Sequence, residues 1–393
     1  MIRLRLRLRR QAIQTVLALV GLPLGCLAVV LQLLRRRGDA VEKILVIRLD
    51  LLGDVVLSLP AVRSLRAGYP KAELVMLVRP AAHDIALRCP AVDRVLTFDP
   101  DLLRPSGALF DTASWLDLAR MIAILRRERF DIVVGLFGHW ASVFALTSGA
   151  SRTVGYRQES FPFAYTNGLS GRRYRPPVHE ARWCERLVRA AGGGATPVGP
   201  DLDARPADVV AARAALARAG WNGRPLVVIN AGAAAGDAKR WTPEGWVGLI
   251  NRVHGVGGAV ALVGAAVDQS LATHIATECA VSPMNLAGET TVGALIGLLS
   301  LATAVASGDS GPLHLAEALG RPVIAIHGPS DPRISGPRRA DSLVIRLNLP
   351  CSPCYDASYP AECPLGHHRC MRDLPSSLVA SALEPLLPLR QVE

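Results

Sequence analysis

The sequence predicts an α/β protein built from two Rossmann-like lobes with a cleft between them, preceded by an N-terminal membrane-associated segment. Three observations lead there. The 393 residues exceed one ordinary core and suit two domains of about 150 to 200 residues each. From residue 43 onward, short β-branched runs alternate with helical stretches. A stretch rich in Gly, Pro, Ala and Asp, from Ala191 to Asp208, then separates one such series from a second.

The first series reads KILVIRL, a helix from Asp54 to Ala67, AELVMLV, Ala81 to Cys89, RVLTF, Trp115 to Arg127, and FDIVVGLF. The second reads PLVVIN, a helix from Pro243, AVALVG, a helix from Asp268, TAVAS, and PVIAIHG. Repeated βαβ units predict mainly parallel sheets covered on both faces, with ligands beyond the carboxyl ends of the strands. The expected divisions are 1–40, 41–195, 206–345 and 346–393.

Half of the residues are apolar and 20% are charged, which supplies ample material for a core and excludes general disorder. Eight of the eleven net positive charges fall on arginines within residues 1–38, a stretch without a single acid. Basicity gathered around an apolar run points to anionic lipid headgroups and argues against nucleic acid as a partner.

Between the arginine clusters, Ala12 to Leu34 carries no charged side chain and is long enough to cross about 30 Å of hydrocarbon as a helix. Gly21, Pro23 and Gly25 interrupt its middle, so a re-entrant hairpin competes with a simple span. Arg35 to Arg37, immediately afterwards, oppose export and weigh against a cleaved signal peptide. A buried amphipathic helix would need a polar face, and only Gln14, Thr15 and Gln32 are polar.

Chemistry is expected at three loops. The first strand ends in VIRLDLLGDVVLSLP, placing Arg48, Asp50, Gly53 and Asp54 at a strand-to-helix turn, with Gly53 free to adopt an unusual backbone. Either aspartate could equally be an ordinary helix N-cap. In the second lobe, VVINAGAAAGDAKRWTPEGW brings small residues at 231–236 beside Lys239 and Arg240, which could neutralise phosphate. This stretch lacks the P-loop spacing, and no G-x-G-x-x-G follows a predicted strand.

The third loop, TAVASGDSGPLHLAEALGRP, leads a strand into a helix N-terminus, where amide groups attract anions. Gly308 and Gly311 leave the backbone open, Ser310 adds a hydroxyl, and Pro312 suits the first helical turn. His314, one turn further on, is read either as a ligand contact or as packing.

Together these stretches resemble the bacterial heptosyltransferase family of lipopolysaccharide core assembly, glycosyltransferase family nine, from about Lys43 to Leu374. The resemblance implies a GT-B fold with acceptor bound in the 41–195 lobe and a nucleotide-sugar donor, commonly ADP-heptose, in the 206–345 lobe. It implies no cofactor and no catalytic metal. It also implies Asp54 as general base, Lys239 ahead of Arg240 and Trp241 in the donor loop, and the D-[ST]-G-x-x-H loop at Asp309, Ser310, Gly311 and His314. The family's ribose-contacting acid falls on Asp268 after Gly264, and Arg48 and Asp50 are assigned to the acceptor side. The implied partners are a nucleotide-sugar donor, a lipopolysaccharide or other lipid-linked glycan acceptor, and the inner membrane at its cytoplasmic face. Related transferases using another nucleotide sugar remain an alternative.

Cys351, Cys354, Cys363 and Cys370 form a C-x2-C-x8-C-x6-C run with His367 and His368 inside it. The spacing is compatible with structural zinc or with disulfides, and similar tails occur in the resembling family. Cys26, Cys89, Cys184 and Cys279 show no pairing logic. Two non-enzymatic readings also stand: a nucleotide-binding membrane scaffold, and a zinc-dependent assembly protein.

Overall fold

The computed structural model of the chain describes residues 40–103, 112–158, 161–171, 176–233, 236–354 and 362–387. The anchor expected over residues 1–40 lies outside them apart from its last residue. Among the described residues no helix is long and apolar enough to cross a membrane.

Two six-stranded parallel sheets form the two lobes. In the first, β1 (Lys43–Arg48), β2 (Glu73–Val78), β3 (Arg94–Thr97), β4 (Ile132–Phe137), β5 (Arg152–Tyr156) and β6 (Asn167–Leu169) lie in the order 3-2-1-4-5-6. In the second, β7 (Leu226–Asn230), β8 (Ala259–Val263), β9 (Met284–Asn285), β10 (Ala304–Gly308), β11 (Val323–Ile326) and β12 (Leu343–Ile345) lie in the order 12-11-10-7-8-9. Both orders reverse direction at the central strands, and there a doubly wound sheet opens a crevice at its carboxyl edge. The sequence reading had not included β5, β6, β9 and β12, which are short, and three of which are edge strands.

Counting helices of eight or more residues, the first lobe carries α1 (Leu52–Gly68), α2 (Thr112–Glu128), α3 (His139–Thr147) and α4 (Glu180–Ala190). The second carries α5 (Pro206–Arg218), α6 (Pro243–Gly255), α7 (Gln269–Glu278), α8 (Val292–Leu301), α9 (Gly311–Ala318) and α10 (Ser376–Leu383).

The continuous apolar strands follow from burial on both faces. In β1, Ile44 and Val46 pack with Val55 and Leu59 of α1 and Trp183 and Leu187 of α4. Their neighbours Leu45 and Ile47 face the other way, toward Leu118 of α2 and Phe144 of α3. Each such side chain contributes about 1.5–3 kcal/mol when fully buried. The first of these cores continues into the second lobe through Leu216, Ile296, Leu299 and Leu313, so α1 and α4 share a core with α5, α8 and α9. The outer face of the second sheet packs Val227 and Ile229 against Trp246, Ile275 and, from α10, Val379 and Leu383.

Polar contacts reinforce this junction. Arg88, in the first lobe, forks onto Asp208 of α5 with both bonds at 2.7 Å. The connecting segment is pinned on either side: Arg63 of α1 bonds Asp201 at 2.8 Å, and the Asp201 amide donates to the Ala318 carbonyl at the end of α9. Helices α5 and α8 meet over Gly293 and Gly297, one turn apart on α8. A Cβ at Gly297 would lie 2.1 Å from the Asp208 carbonyl oxygen. Because that neighbour is backbone, Gly297→Ala is expected to destabilise the protein by about 1–3 kcal/mol; urea unfolding of the variant beside wild type measures it.

Candidate active site

Strand β1 delivers Arg48 at its last residue, and the chain then turns through Asp50 into α1. Leu51 occupies the N-cap of α1, and Asp54 stands in its first turn. Neither aspartate is therefore the N-cap, which removes the bland reading of Asp54. Gly53 serves a different purpose from the one expected: a Cβ there would lie 3.0 Å from His314 Cδ2 and 3.7 Å from Gly311 Cα, so its role is close approach to the other lobe. A Cβ on Gly311 would likewise meet Leu52 Cδ2 at 3.0 Å. The N-terminal ends of α1 and α9 thus abut across the cleft, and both helix dipoles present their positive ends there.

Arg48 has no solvent-accessible surface. Its Nε lies 2.9 Å from Asp50 Oδ2, its Nη2 3.3 Å from Asp54 Oδ1, and its Nη1 donates to Glu180 Oε1 at 2.8 Å. The guanidinium also lies over the Phe137 ring at 5.7 Å, and Nη1 approaches Cys184 Sγ at 3.5 Å. Burial alone would lower its pKa, but the charges of Asp50, Glu180 and Asp54 outweigh it and hold the value well above that of an ordinary arginine. Arg48 was expected at the acceptor. It instead lies beneath the carboxylates with no exposed surface, whereas the Asp50 and Asp54 side chains keep 18% and 29% of their surface exposed.

On the opposite wall, a short 3-10 turn at Asp237–Lys239 follows Gly236, whose φ of 105° is one that glycine tolerates without strain. It directs Lys239 Nζ onto Asp309 Oδ2 at 2.8 Å. Asp309 also faces His314, with Nε2 3.6 Å from Oδ1. Burial would raise the Asp309 carboxyl, yet His314, Lys239 and His327 overcome it and hold the pKa well below the usual carboxylate range. The result is a buried, ionised carboxylate that fixes a lysine at the mouth of α9.

Ser310 is the N-cap of α9, with its hydroxyl linked to Asn230 Nδ2 at 3.0 Å and to Ser307 Oγ at 2.9 Å. Gly308 ends β10, and a Cβ there would lie 3.3 Å from the Lys239 carbonyl oxygen. Arg240 bonds Asp237 at 2.8 Å and reaches Asp268 at 3.9 Å. Asp268 accepts the Ala265 amide at 3.0 Å and occupies the space a side chain at Gly232 would need. The donor-side residues named from the sequence therefore line neighbouring loops at the carboxyl edge of the second sheet.

The four tail cysteines carry free thiols, with Cys351 Sγ 4.0 Å from His367 Nε2. Among the described residues no group of three or more His, Cys, Asp or Glu side chains is arranged to hold a metal ion.

Sequence reasoning missed Glu180, Cys184, Asn230, His327 and His179. The last is the N-cap of α4: its Nδ1 accepts the Ala181 amide at 3.2 Å, which leaves Nε2 to donate to the Gly336 carbonyl of the other lobe at 2.8 Å. Burial pushes its pKa down to about 4. An unfolded chain takes up the proton near the ordinary 6.5, while the folded one resists it to about 4. The stability held by neutral His179 is therefore full above pH 6.5 and declines as the pH falls toward 4. His179→Asn, which does not titrate, is expected to lower the melting temperature at pH 7.5 and to lose less than wild type between pH 7 and 5; thermal melts across that range measure both.

Residues 118–364, more than half of the chain, match the family model described as "Glycosyltransferase family 9 (heptosyltransferase)". The chain is 25% identical over 319 residues to lipooligosaccharide heptosyltransferase 2 of Haemophilus ducreyi, covering 78% of this chain and 88% of that protein. Among solved structures, a family 9 glycosyl transferase from Veillonella parvula aligns with a TM-score of 0.75 at 22% identity, over 89% of this chain and 99% of that one. The structure of E. coli ADP-heptose lps heptosyltransferase II aligns with a TM-score of 0.68 at 22% identity, over 88% and 98% of the two chains. With two parallel-sheet lobes in the GT-B arrangement, this chain belongs to glycosyltransferase family 9, the heptosyltransferase family.

Proposed function

We propose that the protein is an inverting glycosyltransferase that moves heptose from ADP-heptose onto a lipopolysaccharide-core type of acceptor. The observation that carries this reading is the abutment of the α1 and α9 N-termini, which brings the turn that carries Asp54 against His314 of the Lys239–Asp309–His314 cluster. The relatives bearing heptosyltransferase names supply the donor and acceptor classes.

In this reading the donor diphosphate lies at the N-terminus of α9, where the amides of 308–311 and the Lys239 ammonium receive it. The acceptor hydroxyl enters from the first lobe. As its oxygen attacks the anomeric carbon, Asp54 takes its proton, the bond from that carbon to the diphosphate oxygen breaks, and ADP departs with the bonding electron pair. Lys239 and the α9 amides stabilise the negative charge that develops on the leaving group. Asp309 holds Lys239 in place, while Arg240 and Asp268 flank the nucleoside. Arg48 ion-pairs with Asp50 and Asp54 from beneath, so its part on the acceptor side is to hold them in place.

Asp54→Asn removes the base while preserving shape. It is expected to lower kcat by about 10²- to 10⁴-fold with little change in ADP affinity; a rate equal to wild type would rule out the assignment. Lys239→Ala is expected to lower kcat by about 10²- to 10³-fold and to raise the donor KM as well. Transfer of heptose from ADP-heptose to a core acceptor, followed by ADP release, measures both variants.

The membrane belongs to the same proposal. The apolar run from Ala12 to Leu34 between arginine clusters attaches the enzyme to the cytoplasmic face of the inner membrane, near lipid-linked acceptor. Deletion of residues 1–39 is expected to move the protein from the carbonate-resistant membrane fraction to the soluble one with its transfer activity on short acceptors intact; persistence in the membrane would contradict attachment through this segment.

A further inference from the structure

Behind Arg48, which the reaction scheme above places beneath the proposed base, lies a buried carboxylate that the scheme does not use, Glu180. We infer that Glu180, acting through Arg48, is a positioning residue for the Asp54 carboxylate; this rests on the reading of Asp54 as general base.

The two residues are far apart in sequence but meet at 2.8 Å, Arg48 Nη1 donating to Glu180 Oε1. Both are almost wholly buried, at 0% and 1% exposure. One guanidinium thus faces three carboxylates, and they differ in setting. Glu180 lies in the interior, while Asp50 and Asp54 reach the cleft. An arginine offers a rigid planar fork, so fixing one edge fixes the direction in which the others point. Glu180 anchors the buried edge by a hydrogen bond, and the remaining nitrogens, Nε and Nη2, are thereby held in ion-pair contact with Asp50 and Asp54.

Other groups in reach do not provide an equivalent anchor. From β4 the Phe137 ring packs at 5.7 Å, and from α4 Cys184 Sγ accepts weakly at 3.5 Å. Across the cleft this turn faces His314 and, behind it, Asp309. Glu180 itself is held from outside the lobe, since the preceding residue, His179, bonds the Gly336 carbonyl of the other lobe. The N-terminus of α4 therefore ties the aim of the carboxylate pair to the way the two lobes meet.

Two electrostatic consequences separate positioning from simple structural support. The Glu180 charge offsets part of the Arg48 charge that Asp54 experiences. Removing it leaves Arg48 less compensated, which favours ionised Asp54, weakens it as a base and lowers the pH at which it takes a proton. Shortening the side chain with its charge retained disturbs geometry and leaves that balance largely in place.

The experiment compares the full-length wild type with Glu180→Gln, Glu180→Asp and Asp54→Asn in heptose transfer from ADP-heptose, recording kcat, both KM values, the pH profile of kcat/KM and thermal stability. Glu180→Gln is expected to lower kcat by at least about tenfold, with donor KM within about twofold of wild type and the acid limb shifted to lower pH. Glu180→Asp is expected to recover part of kcat and to keep the acid limb at its wild-type position. Wild-type kcat and pH profile in Glu180→Gln overturn the inference, as does a rate loss accompanied only by reduced stability with the acid limb unmoved. Should Glu180→Gln fail to fold, Glu180→Asp decides: a kcat reduced about threefold or more at unchanged donor KM supports positioning, and a wild-type kcat overturns it. An Asp54→Asn protein with wild-type rate overturns the base assignment and this inference with it, whereas an inactive Asp54→Asn beside an unaltered Glu180→Gln overturns this inference alone.

Discussion

The constraint on which the site depends is steric: two helices from different lobes meet end to end, and glycine stands at the contact on both. A Cβ at Gly53 would press on His314 and one at Gly311 on Leu52, each at 3.0 Å. Because each helix starts at the carboxyl end of a central strand, this contact brings the two doubly wound crevices together into one. Positive helix ends, an aspartate on one wall and a lysine on the other then line one crevice, an arrangement that suits a diphosphate leaving group. The continuous core beneath, shared by α1, α4, α5, α8 and α9, keeps the two ends in register.

Around that contact, both walls use the same electrical device with the signs exchanged. In the first lobe a buried arginine is surrounded by carboxylates; in the second a buried carboxylate is surrounded by Lys239, His314 and His327. Burying a charge costs several kcal/mol unless partners compensate it, and a half-compensated cluster is strongly destabilising. Such clusters contribute little net stability, but they hold the groups around them in one orientation. Preorganisation of that kind is what electrostatic catalysis depends on.

Much of this was legible in the sequence. Strands buried on both faces announce themselves as apolar runs, and Asp54, Lys239 and the Asp309–His314 loop stand at strand ends where a doubly wound fold places its ligands. The unread parts have physical causes. Glu180 pairs with a residue 132 positions away, and an acid in the first turn of a polar-faced helix ordinarily reads as solvated. His179 is an N-cap whose second nitrogen crosses to the other lobe, which no local pattern encodes. Gly53 was noticed for backbone freedom, whereas its missing side chain is what matters. Arg48 was assigned to the acceptor side, whereas it is fully buried beneath the turn, held there by a partner distant in sequence. The short strands β5, β6, β9 and β12 lack the long apolar run that marked their neighbours.

The central claim is that transfer takes place where the two helix ends touch. Gly53→Val tests it most directly, since the added side chain presses on His314, and a misplacement of about 1 Å costs about 100-fold in rate. Single-turnover transfer from ADP-heptose, measured beside ADP affinity and circular dichroism, should show that loss in a folded protein that still binds ADP. A folded Gly53→Val protein transferring heptose at the wild-type rate would contradict the account.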